Sequence, residues 1–381
     1  MKNYDKITAI AFCAFLAVFS VLFIFLPGRT FSEQENRELA SAPELSARSL
    51  FDGTFADGVN VWFADQFPGR DAMVKLKSAA EQLLLKQSNN GVLYSRDQLA
   101  VKQFDAYRSR LYKVADADGF FESSVSAQAD SLVRAAEKVD IPVITLVPPR
   151  TIDVCGEKFG YPGHGDALFE LLESALSEKA GYIDTLGMLR EGYGDYLIYR
   201  TDHHWTTAGA YRAYVKIAEK LGMGEECLPE TYFTKEKIPG FYGTTAARGN
   251  FVFCKNDVLE IWTAGDDGDY SVVADGKEIG GFYDRSRLDT SDKYSVFLGG
   301  THGTTVITKK GGENRKKMLI IKDSFANCLI PFLARGFDIV ALDIKSGVDI
   351  AQAVRTYGAD VILVVCNAEN VVSDGSLGRI Y

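Results

Sequence analysis

The sequence predicts an α/β protein, a doubly wound parallel sheet with a β-rich insertion and an N-terminal membrane anchor. Three observations carry this reading. Predominantly apolar runs rich in β-branched residues at Ile141–Val147, Lys317–Lys322 and Asp360–Val365 have the length and composition of strands buried on both faces, and segments with helical apolar spacing lie between such runs. Strands alternating with helices fold as a parallel sheet covered on both sides. The stretch from Ile7 to Leu26 holds no charged residue.

That N-terminal run is about twenty residues long, which at ~1.5 Å per residue matches the ~30 Å hydrocarbon core of a bilayer. A cleaved signal peptide has a shorter apolar core of roughly 7 to 15 residues and a small-x-small site. Here the run ends in Leu26-Pro-Gly-Arg29 instead, which favours an uncleaved anchor. Lys2 and Lys6 before the span against Arg29 after it lean toward an inner N-terminus, although Asp5 dilutes the inner charge. The expected layout is a cytoplasmic tail at 1–6, a transmembrane anchor at 7–26, a juxtamembrane helical neck at 27–95 and an α/β domain at 96–381. The bulk of the chain is then extracytoplasmic.

Past the anchor, Phe31–Ala40 is polar and compatible with a helix, and residues 72–86 have helical spacing at Met73, Leu76, Ala80, Leu83 and Leu84. A hairpin is expected near Asn89-Asn-Gly, then a helix at 123–139, the strand of Ile141–Val147, a helix at 166–179 and short strands at Tyr182 and at Tyr196–Tyr199. Thr206 can cap the helix that follows. From Gly224 to about 315 the chain is rich in Gly, Asp and Tyr with short alternating runs, which predicts the β-rich insertion. The α/β pattern resumes with the strand at 317–322, a helix at 324–334, strands at 338 and 360 and a helix between them.

With 381 residues, 46% of them apolar, and a net charge of -9, the chain can build a large core and is poorly suited to nucleic acid. No P-loop and no zinc-type Cys/His spacing is present, so neither a cofactor nor a metal is expected. Of the six cysteines, Cys13 lies in the span and leaves an odd number outside it. Cys227 and Cys254 are the pair that could bridge, while Cys328 and Cys366 fall in apolar runs as buried thiols.

The chemistry concentrates in two places. Asp202-His-His-Trp205 holds two of the four histidines at a strand-to-helix junction. On an extended backbone residues two apart share a side, so Asp202 can orient His204 while His203 points the other way. Ser324 follows a buried strand and opens the next helix, at the sheet's carboxyl end, where open α/β sheets place their ligands and where N-H groups can hold an oxyanion. The competing readings are that Ser324 only caps its helix and that the histidines are structural. A metal site from Asp202, His203 and His204 is a weaker alternative, because adjacent histidines rarely converge on one ion. His164 reads as a loop residue and Asn327 as structural.

Thr201-Asp-His-His-Trp-Thr-Thr-Ala-Gly-Ala-Tyr211 and Lys322-Asp-Ser-Phe-Ala-Asn327 resemble the DHHW protein family, which is similar to the alginate O-acetyltransferase group of SGNH-hydrolase-like proteins. Ser32–Arg37 and Asp65–Arg70 share in the resemblance, which extends over most of the chain. It implies an SGNH-like fold with permuted motif order and an extracytoplasmic site of Ser324 as nucleophile, His204 as base and Asp202 as orienter. Lys322 stands where an SGNH motif has glycine. Gly299-Gly-Thr-His-Gly303, with His302, has threonine where an oxyanion asparagine is expected, and the oxyanion donors stay open. The expected function is acyl transfer, most plausibly of acetyl, onto a cell-envelope glycan or exopolysaccharide, with room for a membrane protein that delivers the acetyl group. An acetylesterase using the same site is the first alternative. The second is an inactive glycan-binding or scaffold protein, for which 24 Phe and 18 Tyr supply stacking surface.

Overall fold

A computed structural model describes residues 3–95, 97, 99–102, 120–159, 166–176 and 179–381. The chain divides into two compact units, one of Met1–Lys86 with Asn250–Phe253 and one of Gln87–Gly249 with Cys254–Tyr381.

In the first unit, the apolar run forms the helix Asn3–Phe25, long and apolar enough to cross a membrane. The polar, helix-compatible stretch after it forms instead a two-stranded antiparallel ribbon, Phe31–Ser32 against Arg37–Glu38. Tertiary charge pairing overrides local propensity there. Arg37 forks onto both oxygens of the buried Asp65 at 2.6 and 2.9 Å, and the same carboxylate accepts from the Ala40 amide. The Arg37 hydrogen bonds hold the Asp65 carboxyl down to about 2 against the upward pull of burial. Arg70 pairs with Glu35 at 2.8 Å, so the two charged motifs of this region form one network. Helices Thr54–Gln66 and Arg70–Leu83 complete the unit.

The second unit is built on an eight-stranded mixed sheet. Its strands in chain order are β1 (Val143–Leu146), β2 (Tyr182–Ile183), β3 (Tyr270–Ala274), β4 (Lys277–Glu278), β5 (Thr304–Lys309), β6 (Lys317–Lys322), β7 (Asp338–Asp343) and β8 (Val361–Val365), and their spatial order is β4-β3-β5-β7-β6-β8-β1-β2. The five strands β7-β6-β8-β1-β2 are parallel. β5, β3 and β4, all from the 224–315 stretch, extend the sheet antiparallel at one edge. A separate hairpin pairs Thr234–Phe241 with Asp257–Thr263.

Period-two alternation explains the two cores. Met318, Ile320, Leu363 and Val365 pack on one face, while Leu319, Ile321, Ile362 and Val364 pack on the other. Helix Thr207–Lys220 covers the first face, and helices Phe120–Ala136 and Asp166–Leu176 cover the second. From β6 the chain passes to β7 on one side and then to β8 on the other. The carboxyl end of β6 is therefore a topological switch point, where a crevice opens.

Two local expectations of secondary structure differ. Tyr196–Tyr199 forms no regular strand, only the bridge Ile198 to Trp205, because Tyr196 adopts a left-handed φ of 57° and the chain turns at once. The expected helix from Ser324 is a three-residue 3-10 turn followed by Ile330–Leu333, with Pro331 at its start. Tyr294 lies in a 3-10 turn, Lys293–Val296. Cys227 and Cys254 are separate free thiols, since one lies beside Tyr214 and the other beside Tyr94. The expectation for His164 falls outside the described residues.

Candidate active site

The carboxyl end of β6 delivers Lys322, Asp323 and Ser324. Asp323 fixes the geometry of this turn. One of its oxygens accepts from the Phe325 amide at 3.0 Å, and the other accepts from the Asn367 amide at 2.6 Å and Asn370 Nδ2 at 3.0 Å. The serine turn is thus tied to the loop after β8. Burial pushes the Asp323 carboxyl up, and these donors oppose the shift.

The second half comes from a narrow loop. The Thr206 amide donates to Leu197 and the Tyr199 amide to His204, which leaves 200–203 as the tip. Fully buried Asp257 organises this tip by accepting from the Arg200 and Thr201 amides, Thr201 Oγ1 and Tyr196 OH, at 2.5 to 3.0 Å. Thr206 caps the next helix through the Gly209 amide at 3.2 Å.

At the tip, Asp202 is buried and its two oxygens face different partners. Oδ2 accepts from the amide and hydroxyl of Thr244, both at 2.8 Å, and Oδ1 accepts from the His204 amide at 3.0 Å and from His204 Nδ1 at 2.6 Å. Burial alone would raise this carboxyl. The neighbouring His203 and His204 and the hydrogen bonds outweigh it and hold the group well below the ordinary carboxylate range. An ionised carboxylate only accepts, so Nδ1 of His204 carries the proton and Nε2 is left to accept. Nε2 lies 2.7 Å from Ser324 Oγ. The structure thus brings Asp202, His204 and Ser324 into one hydrogen-bonded chain, the order of groups by which acyl transfer is run on several unrelated folds.

The aromatic surroundings restrict the imidazole. Tyr294 stacks on the His204 ring, with Phe325 tilted against it at 4.8 Å between centroids. Trp205 is fully buried, and its indole N-H donates to the Phe325 carbonyl at 2.9 Å, which locks the histidine loop to the serine turn. Gly243 is dictated by space, since a Cβ there would sit 2.3 Å from the Asp202 Cβ.

His203 does not point away from His204 as an extended chain would require. The segment is bent, the two rings lie 3.9 Å apart, and His203 Nδ1 meets Thr244 Oγ1 at 2.8 Å. Burial, and then the neighbouring His204, lower its pKa to about 4. One ligand atom from each of Asp202, His203 and His204 lies within 4.8 Å of the others, and all three side chains also hydrogen-bond within the protein.

Ser324 opens into a cleft of about 380 Å³, lined also by His203, Thr244, Thr301, Asn367 and Asn370. Lys102, Arg248 and Lys345 add cations to its walls, and Asp343 and Glu369 add acids. The serine turn is itself too short to present a helix dipole to this cleft. Lys322 is buried where a glycine was expected, and its ammonium donates to Asn327 Oδ1 at 2.7 Å. Asn327 Nδ2 in turn donates to the Gly300 carbonyl at 3.1 Å, which anchors the Gly299–Gly303 loop. His302 Nε2 donates to the Leu298 carbonyl, 2.9 Å away, at the base of that loop.

Sequence reasoning missed Thr244, Gly243, Asp257 and Tyr294, which lie far from the two motifs and carry no local signal. Asn367 and Asn370 were findable, because they follow the buried run of β8 as Ser324 follows β6.

The solved structures similar to this chain include a DHHW family protein from Eubacterium siraeum, 22% identical over 67% of this chain and 88% of that one with a TM-score of 0.59. Bacillus cereus PatB1 carrying a sulfonyl adduct is 18% identical over 76% of this chain and 98% of its own, with a TM-score of 0.60. The O-acetyltransferase domain of Pseudomonas putida AlgJ is 15% identical over 74% and 93%, with a TM-score of 0.45. No curated protein matches the sequence. The DHHW protein family matches residues 35–90 and 167–342, more than half of the chain, and the protein belongs to that family.

Proposed function

We propose that this protein is a membrane-anchored, extracytoplasmic acyltransferase that moves acetyl groups onto a cell-envelope or secreted polysaccharide through Ser324, His204 and Asp202. The observation that carries the reading is the unbroken chain from Asp202 Oδ1 through His204 to Ser324 Oγ, at 2.6 and 2.7 Å. His204 Nε2 takes the hydroxyl proton as Ser324 Oγ attacks the ester carbonyl of a donor. The departing alkoxide takes that proton, leaving acetyl on Ser324. A sugar hydroxyl then gives its proton to Nε2 and attacks the acetyl-serine, and the serine is regenerated. Water in place of the sugar gives an acetylesterase, so the two activities share every residue and differ in which nucleophile the cleft admits. A membrane protein that supplies the acetyl group remains part of the proposal, as does the glycan as partner. The helix Asn3–Phe25 supports the anchor.

An inactive scaffold would need the serine beyond hydrogen-bond reach of the imidazole, and 2.7 Å does not favour it. The test is acetyl release from a generic ester, with and without a polysaccharide acceptor. Ser324→Ala should abolish both release and transfer, and a sulfonyl fluoride should add one sulfonyl group to Ser324 in the parent and none in the variant. Activity that persists in Ser324→Ala would remove the serine from the mechanism.

A further inference from the structure

Within the first unit, the apolar helix Asn3–Phe25 is bare along almost its whole length. From Tyr4 to Phe25 only Phe19 and Phe23 are partly covered. What covers them is a second set of aromatics. Phe67 stacks on Phe19 at 5.2 Å between centroids, and Trp62 and Phe63 meet Phe23 at 5.3 and 4.9 Å.

Trp62 and Phe63 lie on the helix Thr54–Gln66, and with Phe55 and Val59 they form one side of it at helical spacing. This side closes no protein core. None of the four is buried, and Phe63 is 46% exposed even with Phe23 against it. Just upstream, Leu50 is 57% and Phe51 94% exposed. The acid at the end of the helix is satisfied elsewhere, since Asp65 is held by Arg37 and Ala40.

Depth follows from the anchor. Phe23 and Phe19 lie three and seven residues before Leu26, where the apolar run ends, so their partners sit roughly 4 and 10 Å below that level. Aromatic rings at this depth occupy the region where Trp and Tyr concentrate beside membrane spans. An apolar helix side in that position faces acyl chains and headgroups rather than water, as in helices that lie in the bilayer plane.

We infer that Thr54–Gln66 is an interfacial helix, embedded beside the anchor with Trp62, Phe63 and Phe67 in the upper acyl region of the outer leaflet. The occupant of this surface is lipid. The inference rests on the anchor reading and adds a second, lateral membrane contact that would hold the first unit down on the bilayer.

The test uses the full chain reconstituted in phosphatidylcholine vesicles brominated near the top, the middle or the end of the acyl chains, with tryptophan fluorescence as readout. The other two tryptophans, Trp205 and Trp262, are buried in the second unit and give a background that lipid bromine does not reach. Quenching should be strongest for bromine near the top of the chains and should be almost entirely lost in Trp62→Phe, which removes the one tryptophan at the lipid surface. Moving the reporter by one residue, with Phe63→Trp in the Trp62→Phe background, should restore it. Absence of quenching in protein that stays with the vesicles through alkaline carbonate would overturn the inference and leave the anchor standing. Loss of residues 1–26 from the mature chain, or extraction by carbonate, would overturn the anchor and this inference with it.

Discussion

The imidazole of His204 lies flat against the phenol ring of Tyr294, with centroids 3.8 Å apart and planes 8° from parallel. A histidine that must face a carboxylate with one nitrogen and a serine with the other can still rotate about its last torsion. The stack removes that freedom without occupying either nitrogen. Replacing Tyr294 with Leu should therefore lower kcat by about 10- to 100-fold through lost positioning. Tyr294→Phe keeps the stack and should stay within about threefold of the parent, because the hydroxyl contacts the Ser324 carbonyl and Cys328 Sγ and, among the described residues, no reacting atom. Steady-state kinetics on an acetyl ester distinguish the two.

Gly243 offers a steric test of the same site. A methyl group at this position would meet the Asp202 Cβ, Cα and N at 2.3 to 2.7 Å, so backbone would have to move. Gly243→Ala should cost about 1–3 kcal/mol in urea unfolding and most of the activity. Gly194, which has open space at its Cβ position, should accept Ala with little effect.

Asp202→Asn keeps the shape and changes the proton. An amide cannot serve the Thr244 pair and the His204 pair together, because only one of its two ends accepts. The imidazole then loses its fixed tautomer, and kcat should fall by roughly 10³ to 10⁴, with the enzyme still folded by circular dichroism.

Lys322 gives a pH dependence with a definite sign. Burial lowers its ammonium to about 8, against the opposing pull of Asp323 and Asp343, from an ordinary 10.5 in the unfolded chain. Between these values the unfolded chain holds a proton that the folded chain has released. Stability contributed by this group is therefore flat below pH 8 and rises toward 10.5. Urea unfolding of Lys322→Met should lack this rise, so the stability difference between parent and variant should move in the parent's favour across that interval.

The strands β1, β6 and β8 were legible because a short, almost wholly apolar run rich in β-branched residues has few places to go other than the centre of a sheet. The helix after Thr206 was legible through its cap and spacing. Ser324 could be placed at the end of β6 for the same reason, and Asp202 and His204 could be paired by their separation of two. The pairing came from an extended backbone, however, and the segment is bent. The carboxylate reaches Nδ1 because the bend at 200–203 folds it there, and the same bend turns His203 toward the cleft instead of away from it.

The helix expected from Ser324 and the helix-compatible stretch past the anchor take other conformations for a common reason. Local propensity is worth tenths of a kcal/mol per residue, about 0 to 0.7 for ordinary residues. Asp65 gripping Arg37, and Asp323 gripping the loop after β8, outweigh it easily.

By itself, then, the sequence determined a chain with an apolar N-terminal helix, a parallel α/β core and two motifs carrying an acid, a base and a serine hydroxyl, because hydrophobic period and residue type are local properties. Only the tertiary structure decided that two residues 120 positions apart, His204 and Ser324, close to a 2.7 Å contact. The strand order does this, by opening the sheet at β6, and so do Asp257, Thr244 and Trp205, whose hydrogen bonds have no counterpart in sequence spacing.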